Sequence, residues 1–298
     1  MIAFDVGAAA ELACLLEATA PKPGNVSPGR SFVDLTYQDF LLSAVAIRPV
    51  MAAAGTRPIG ATVRLAVEAT RRSTPSNTNL GIVLLLGPLA RAAVDTVDSG
   101  KRDHRIYRDT VRRVLQATTV DDAREVYAAI RLAAPGGLGR VAEQDVASEP
   151  TETLLETMQL AAGRDQIARE YGTAFETTFD VAAPALVRAR GDGLDWDDAI
   201  VEVFLSLLAC SFDTHVVRRG GESLAADVSR RARSALEAGG VRSAAGRRAV
   251  DDMDRALRDA RNSANPGATA DLTAAAISVQ LVTSFPEGFG RAGKQVLA

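Results

Sequence analysis

Apolar residues recur at intervals of three and four almost from end to end of this chain, and no stretch alternates β-branched with polar residues as a strand would. A 3.6-residue period buries one stripe of a helix, whereas a period of two buries one face of a strand, so the pattern restricts the chain to helices packed on helices. Ala, Leu, Arg and Glu dominate, all good helix formers. Asp5 stands where it would cap a helix over residues 6–18, with Leu12, Leu15 and Leu16 on one face. Thr36 would cap a second helix towards Ala54, ended by Gly55 and kinked or divided at Pro49. Pro58 suits the first turn of a third helix reaching Arg72. Residues 80–94 are apolar at nearly every position and read as a fully buried helix. Further helices are expected over 103–117, 120–133, 151–162, 164–190, 197–217, 223–238, 243–262 and 269–283. The expectation is an all-α, single-domain bundle of about eleven to twelve helices over residues 1–298. The longest irregular stretch, 134–150, is long enough to divide two domains but fits an active-site loop equally well.

Composition narrows the function classes. At 298 residues, 47% hydrophobic and 24% charged, the chain can bury a sizeable core as an ordinary globular domain. A formal net charge of −3, from 34 basic and 37 acidic residues, provides no field for nucleic acid. No apolar run approaches the roughly 20 residues that span a bilayer, and no leader pattern is visible. A cytoplasmic protein with neither nucleic acid nor membrane as partner is expected. Cys14 and Cys210 lie in apolar helical runs, and His104 and His215 are the only histidines, so a His-rich zinc site is excluded.

Four short polar, glycine-bearing strings interrupt the helices: Lys22-Pro23-Gly24-Asn25, Asn77-Thr78-Asn79-Leu80-Gly81, Asp213 to Gly221, and Asn265 to Asp271. Each stands where a helix starts or stops, and helix starts leave backbone N–H groups free for anions. In the first, Lys22 is one of only three lysines and can act as a point charge on phosphate. In the second, Asn77, Thr78 and Asn79 offer more amide and hydroxyl groups than capping needs. The third combines Asp213 and Thr214 with Arg218, Arg219 and the flexible pair Gly220-Gly221. The fourth places Gly267, Thr269 and Asp271 in a helix's first turn, where an acid is a natural magnesium ligand. Each string taken alone is also explained by an ordinary cap or interhelical loop. Two other patterns carry less. The G-x-G-x-x-G spacing of Gly288 to Gly293 follows no strand, so it is no dinucleotide fingerprint. Pro135 to Gly139 is weak by itself, though Asp145 nearby keeps that loop a candidate.

In order, these strings resemble the triphosphoribosyl-dephospho-CoA synthase family, from about Glu17 to about Ala276. Lys22-Pro23-Gly24 is similar to its Pro-Lys-Pro-Gly string, Asp34 to the acid of its His-x-Asp segment, and Glu68 to the Glu preceding its Asn-Thr-His-Lys-Gly string. Asp213-Thr214 with Arg218-Gly220-Gly221 resembles its Asp-Thr…Arg-Gly-Gly segment, and Pro266-Gly267 with Ala270-Asp271-Leu272 its Pro-Gly-Gly-Ser-Ala-Asp-Leu segment. Two departures stand out. Asn79-Leu80 replaces His-Lys, and Phe32 stands at the histidine of His-x-Asp, which marks a divergent branch; Lys-Pro-Gly-Asn-Val-Ser is similar to archaeal-type relatives.

The resemblance implies an all-α transferase that displaces adenine from Mg-ATP with a hydroxyl of dephospho-CoA or a related acceptor. ATP is a substrate, Mg2+ the cofactor, and a homodimer is allowed by a sequence that carries no assembly signature. It implies Asp34, Glu68, Asp213 and Asp271 as catalytic residues, with Glu68, Asp213 and Asp271 sharing the metal and stabilising charge on the ribose. Lys22, Arg218 and Arg219 would hold phosphates, and Asn77, Thr78 and Asn79 would contact ribose or phosphate oxygens. Gly24, Asn25, Gly81, Thr214, Gly220, Gly221, Asn265, Gly267 and Thr269 would complete the nucleotide site. Asp34 would position or deprotonate the acceptor hydroxyl. Two alternatives stay open: the same chemistry on another acceptor in a coenzyme pathway, and a nucleotide-binding protein that has lost catalysis with the missing His and Lys.

Overall fold

The capping residues read from the sequence act as such. In the computed structural model, which describes residues 5–98, 103–136, 139–141, 143–259 and 261–284, Asp5 accepts the Ala8 N–H and opens α1 (Val6–Thr19). Thr36 and Asp39 form a reciprocal capping box at the start of α2 (Tyr37–Ala52). That helix continues through Pro49 rather than dividing there. The proline sits in its last turn, and the carbonyl left without an N–H belongs to Val45, which is 56% exposed, so water can take it. Pro58 precedes α3 (Ile59–Ser73), and α4 runs over Leu80–Asp98. Asp103 caps α5 (His104–Gln116) and Thr119 caps α6 (Val120–Ala133). The remaining helices are α7 (Leu154–Ala161), α8 (Gln166–Thr173), α9 (Ala183–Gly191), α10 (Trp196–Cys210), α11 (Thr214–Glu237), α12 (Ala244–Leu257) and α13 (Gly267–Ser284). The Gly288 to Gly293 pattern lies outside the described residues.

The fold is all-α. The described residues hold thirteen α-helices and no strand, only an isolated bridge between Ser27 and Arg30. The count exceeds the expected eleven to twelve because two long expected helices are broken while a third expected helix joins its neighbour. The one over 164–190 stops at Ala174 and Phe175, both in the left-handed region at φ 51° and 59°, and resumes as a π-helical turn, Thr177–Ala182. Buried Glu170 holds this break by accepting the Thr177 and Thr178 N–H groups at 3.0 and 2.9 Å. The one over 197–217 stops after Cys210 because Asp213 turns to cap α11. The expected helix over 223–238 is instead the continuation of α11 past a kink at Gly221, φ 83° and ψ 169°.

α13 is the central element, packed against α1, α4, α9, α10 and the π-helical turn. Leu272, Ile277, Val279 and Leu281 are buried on different sides of it, so no side is left for water. Truncating fully buried Ile277 to Ala would cost about 2–5 kcal/mol. Among the described residues no single helix is long and apolar enough to cross a membrane. This packing fixes where the starts of α4, α8, α11 and α13 stand, and all four open on one cavity.

Candidate active site

The cavity measures about 750 Å3. Residues 77–82 line it from the start of α4, Asp165, Ile167 and Ala168 from α8, His215 and 217–219 from α11, and 265–271 in part from α13. The last turn of α1 contributes Glu17, the turn after it Asn25 and Val26, and the described residues of the 134–150 loop add Ala134 to Gly136 and several from Gly139 to Val146. All four strings therefore contribute to one wall. Residues from the first turns of four helices thus share one space, and the side chains of Asn77, Asp165 and Asp213 cap the starts of α4, α8 and α11.

Asp271 is the one carboxylate of this wall, among the described residues, that is not exposed and has no hydrogen-bond or ion-pair partner. It lies against the backbone of Gly81, where any Cβ would collide with its carboxylate, so this position of α4 needs glycine. Burial, and after it the carboxylates of Glu17, Asp213 and Asp165, pushes Asp271 well above the usual carboxylate range. Glu17 is the residue that the motif reading missed. It is 3% exposed, lines the cavity, and forms a 3.0 Å ion pair with the Lys22 Nζ. The signal was present: an acid in the last turn of a helix, opposed by the helix dipole and followed five residues later by a rare lysine.

Several expected residues do not line the cavity. Lys22 is completely buried and donates to the carbonyls of Glu17 and Ala20, so it fixes Glu17 rather than reaching a phosphate. Gly24, at φ 76°, donates its N–H to Asp254 and makes the turn. Asp213 spends one carboxylate oxygen on the Val216 N–H at 3.0 Å and the other on the N–H and hydroxyl of Thr269 at 2.7 and 2.8 Å. It is 1% exposed, and burial raises its carboxyl despite these bonds. Asp213 and Thr269 thus latch α11 to α13. Thr214 exchanges hydrogen bonds with Gln166, joining α11 to α8. Gly220 and Gly221 form the kink in α11 rather than a phosphate rim. Glu68 lies on the flank of α3, paired with Arg64, which also holds Glu125. The expected metal set of Glu68, Asp213 and Asp271 does not assemble, and no group of three His, Cys, Asp or Glu among the described residues is arranged to hold an ion.

The others do face the cavity. Asn77 Oδ1 accepts the Leu80 N–H and starts α4, and Thr78 shares a hydrogen bond with Ser43. Asn79 is 5% exposed and accepts the Thr70 hydroxyl. Asn25 donates to Asn265 Oδ1, while its carbonyl accepts from Arg258. Arg218 pairs with Asp165, and Arg219 donates to the Arg261 carbonyl. Exposed Asp34 lies on the rim, its carbonyl accepting from Ser76. Gly267 lies against His215, a residue to which the motifs implied no role; a Cβ there would collide with the ring. The His215 ring has no hydrogen-bond partner among the described residues. Burial, with Arg218 and Arg219 adding to it, pushes the imidazole down to about 4, so it is neutral at pH 7. In the loop, Asp145 accepts the Val141 and Ala147 N–H groups, which hold it below the ordinary range, and Arg140 and Tyr127 also line the cavity.

A family model described as ATP:dephospho-CoA triphosphoribosyl transferase matches residues 3–287. The chain belongs to this family. Curated relatives named as probable 2-(5''-triphosphoribosyl)-3'-dephosphocoenzyme-A synthases include one from Pseudomonas syringae pv. syringae, 29% identical over 203 residues and 65% of each chain. Another, from Pseudomonas savastanoi pv. phaseolicola, is 31% identical over 141 residues, 44% of this chain and 47% of its own. The chain thus spans about half the length of the first curated relatives that it matches. A crystal structure from Archaeoglobus fulgidus, provisionally named triphosphoribosyl-dephospho-CoA synthase, superposes with a TM-score of 0.64 at 27% identity. It covers 83% of this chain and 100% of that one. This archaeal neighbour agrees with the archaeal-type variant of the triphosphoribosyl transferase motifs read at Lys22 to Ser27.

Proposed function

We propose that this protein is a transferase that displaces adenine from the ribose of ATP with a hydroxyl of dephospho-CoA, in the manner its family description names. The convergence of four helix N-termini, two arginines and an unpartnered carboxylate on one cavity carries the reading. A triphosphate meets the N-termini of α4, α8, α11 and α13 together with Arg218 and Arg219. Displacement at the anomeric carbon builds positive charge on the ribose, and Asp271 is the carboxylate free to face it. The neutral His215 ring, which has no competing partner among the described residues, can orient the incoming hydroxyl, whose proton leaves on the departing adenine. Arg140 and Arg164, both near Asp145, form a second group of cations for the acceptor's diphosphate. Leu84, Ile130 and Ile167 on the same cavity supply apolar wall for the base and the acceptor arm.

Magnesium fits this cavity through fewer protein ligands than the motifs implied. Mg2+ bound with nucleotide commonly takes one or two carboxylates and completes its shell with phosphate and water. Asp271 and Glu17 are the pair suited to hold it, since their mutual repulsion raises Asp271 and a cation would relieve it. The ion would neutralise triphosphate charge. A related hydroxyl acceptor is the second reading, favoured by Asn79-Leu80 standing where the family pattern has His-Lys. Incubation with Mg-ATP, with and without dephospho-CoA, followed by chromatography tests both. Adenine released only with dephospho-CoA supports the first, adenine with another acceptor the second, and bound ATP with no adenine under any acceptor refutes both.

A further inference from the structure

Two buried amide groups of residues on the cavity wall are left without partners among the described residues, and they are of opposite kind. Asn79 is 5% exposed; its Oδ1 is occupied by the Thr70 hydroxyl at 3.1 Å, and its Nδ2 has no partner. Asn25 is 6% exposed; its Nδ2 is occupied by Asn265 Oδ1, and its Oδ1 has no partner. Buried polar groups in folded proteins are paired in the great majority of cases, so an unpaired donor and an unpaired acceptor on residues that line one cavity point to a ligand whose binding satisfies both.

Their chemistry limits what that ligand presents. A phosphate oxygen only accepts, so it can meet Asn79 but leaves Asn25 unpaired. A hydroxyl both donates and accepts, and a vicinal diol meets one of each. An adenine edge also offers a donor beside an acceptor. Position favours the diol: Asn79 is two residues from Gly81, on whose backbone the Asp271 carboxylate rests. Asn25 lies in the turn that follows Glu17, whose charge acts on Asp271. The base finds its apolar surface elsewhere, at Leu84, Ile130 and Ile167.

We infer that Asn25 and Asn79 are specificity-determining residues that read the ribose 2'- and 3'-hydroxyls of the bound nucleotide, so that the site selects ribonucleotides over deoxyribonucleotides. The inference rests on the nucleotide reading above and adds which part of the nucleotide these two side chains contact. A site built to hydrogen-bond a hydroxyl rejects the analogue that lacks it, because its own polar group is then stranded.

The test is calorimetric titration of the protein with ATP, 2'-deoxy-ATP, 3'-deoxy-ATP and the triphosphate of purine riboside, each with Mg2+. Wild type should bind at least one deoxy analogue about tenfold or more weakly than ATP and bind purine riboside triphosphate about as well as ATP. In Asn25→Ala and Asn79→Ala, the penalty for removing the matching hydroxyl should fall to about onefold, a change of ratio that a merely loosened fold does not produce. Equal wild-type affinities for ATP and both deoxy analogues would overturn the inference while leaving nucleotide binding intact, even if neither variant folds. A loss confined to purine riboside triphosphate would overturn it in favour of the adenine edge. Failure of every nucleotide to bind would overturn this inference and the functional reading together.

Discussion

Asp213 and Asp271 stand at the starts of neighbouring helices, α11 and α13, and they use their oxygens in opposite ways. Asp213 gives both to donors of the protein, two backbone N–H groups and the Thr269 hydroxyl. Asp271 gives neither, lies on the cavity against Gly81, and carries the repulsion of Glu17 and Asp165. The same division runs through the other strings. Lys22 and Gly24 are saturated by the scaffold, whereas Asn25 and Asn79 each keep one open group. Motif residues thus fall into a latch that holds the helix starts together and a wall whose groups stay unpaired among the described residues. Hydrogen-bond saturation separates the two where residue type does not.

The largest effect should come from the wall. Asp271→Asn should lower adenine release by roughly a thousandfold, the scale of losing one preorganised electrostatic group. The same change should raise the melting temperature of the ligand-free protein by roughly 2–4 °C, because it removes a repelled buried charge. The sign follows from linkage. A carboxyl raised in the folded state destabilises as pH rises through its folded pKa, so the gain should shrink as pH falls towards about 4. Magnesium affinity in the presence of ATP should rise over the same pH range, with protons released on binding. Unchanged turnover would break the comparison at its strong end.

Asp213→Ala should do the reverse. Three donors lose their acceptor, and urea unfolding should show a loss of about 3 kcal/mol. Because the Asp213 charge also acts on Asp271, the variant that still folds should bind Mg-ATP with its pH dependence moved to lower pH, checked by calorimetry across pH. A smaller effect is expected of Gly81→Ala. Its Cβ must displace the Asp271 carboxylate, which should cost about ten- to a hundredfold in kcat/KM with little change in melting temperature. Least of all is expected of Glu68→Gln, which loses only an exposed pair with Arg64. Stability should move by no more than about 0.5 kcal/mol and adenine release not at all; a large loss of activity would return Glu68 to the site.

Much of the scaffold was legible because its signals are local. Asp5, Thr36, Asp103 and Thr119 bond N–H groups two or three residues away, and a reader of the chain sees both partners. The break at Ala174 and Phe175 carries no Gly or Pro, and a buried Glu170 with a π-helical turn holds it, so no local rule finds it. The site was legible as a set of strings and not as a set of roles. Whether Asp213 faces Thr269 or the cavity depends on how α11 meets α13, a contact between residues 56 apart. Glu68 matched the family spacing, yet it points along α3 to Arg64 and Arg64 to α6. His215 sat inside a quoted string, but nothing in that string shows that Gly267 would lie against its ring.

An experimental structure of the protein with Mg-ATP bound tests the division into latch and wall most directly. The account predicts the ribose against Asn25, Asn79 and Asp271, the triphosphate among the helix starts beside Arg218 and Arg219, and Asp213 still bonded to Thr269. Nucleotide density away from this cavity, or a metal ion bound by Asp213 with its bonds to Thr269 broken, would contradict it.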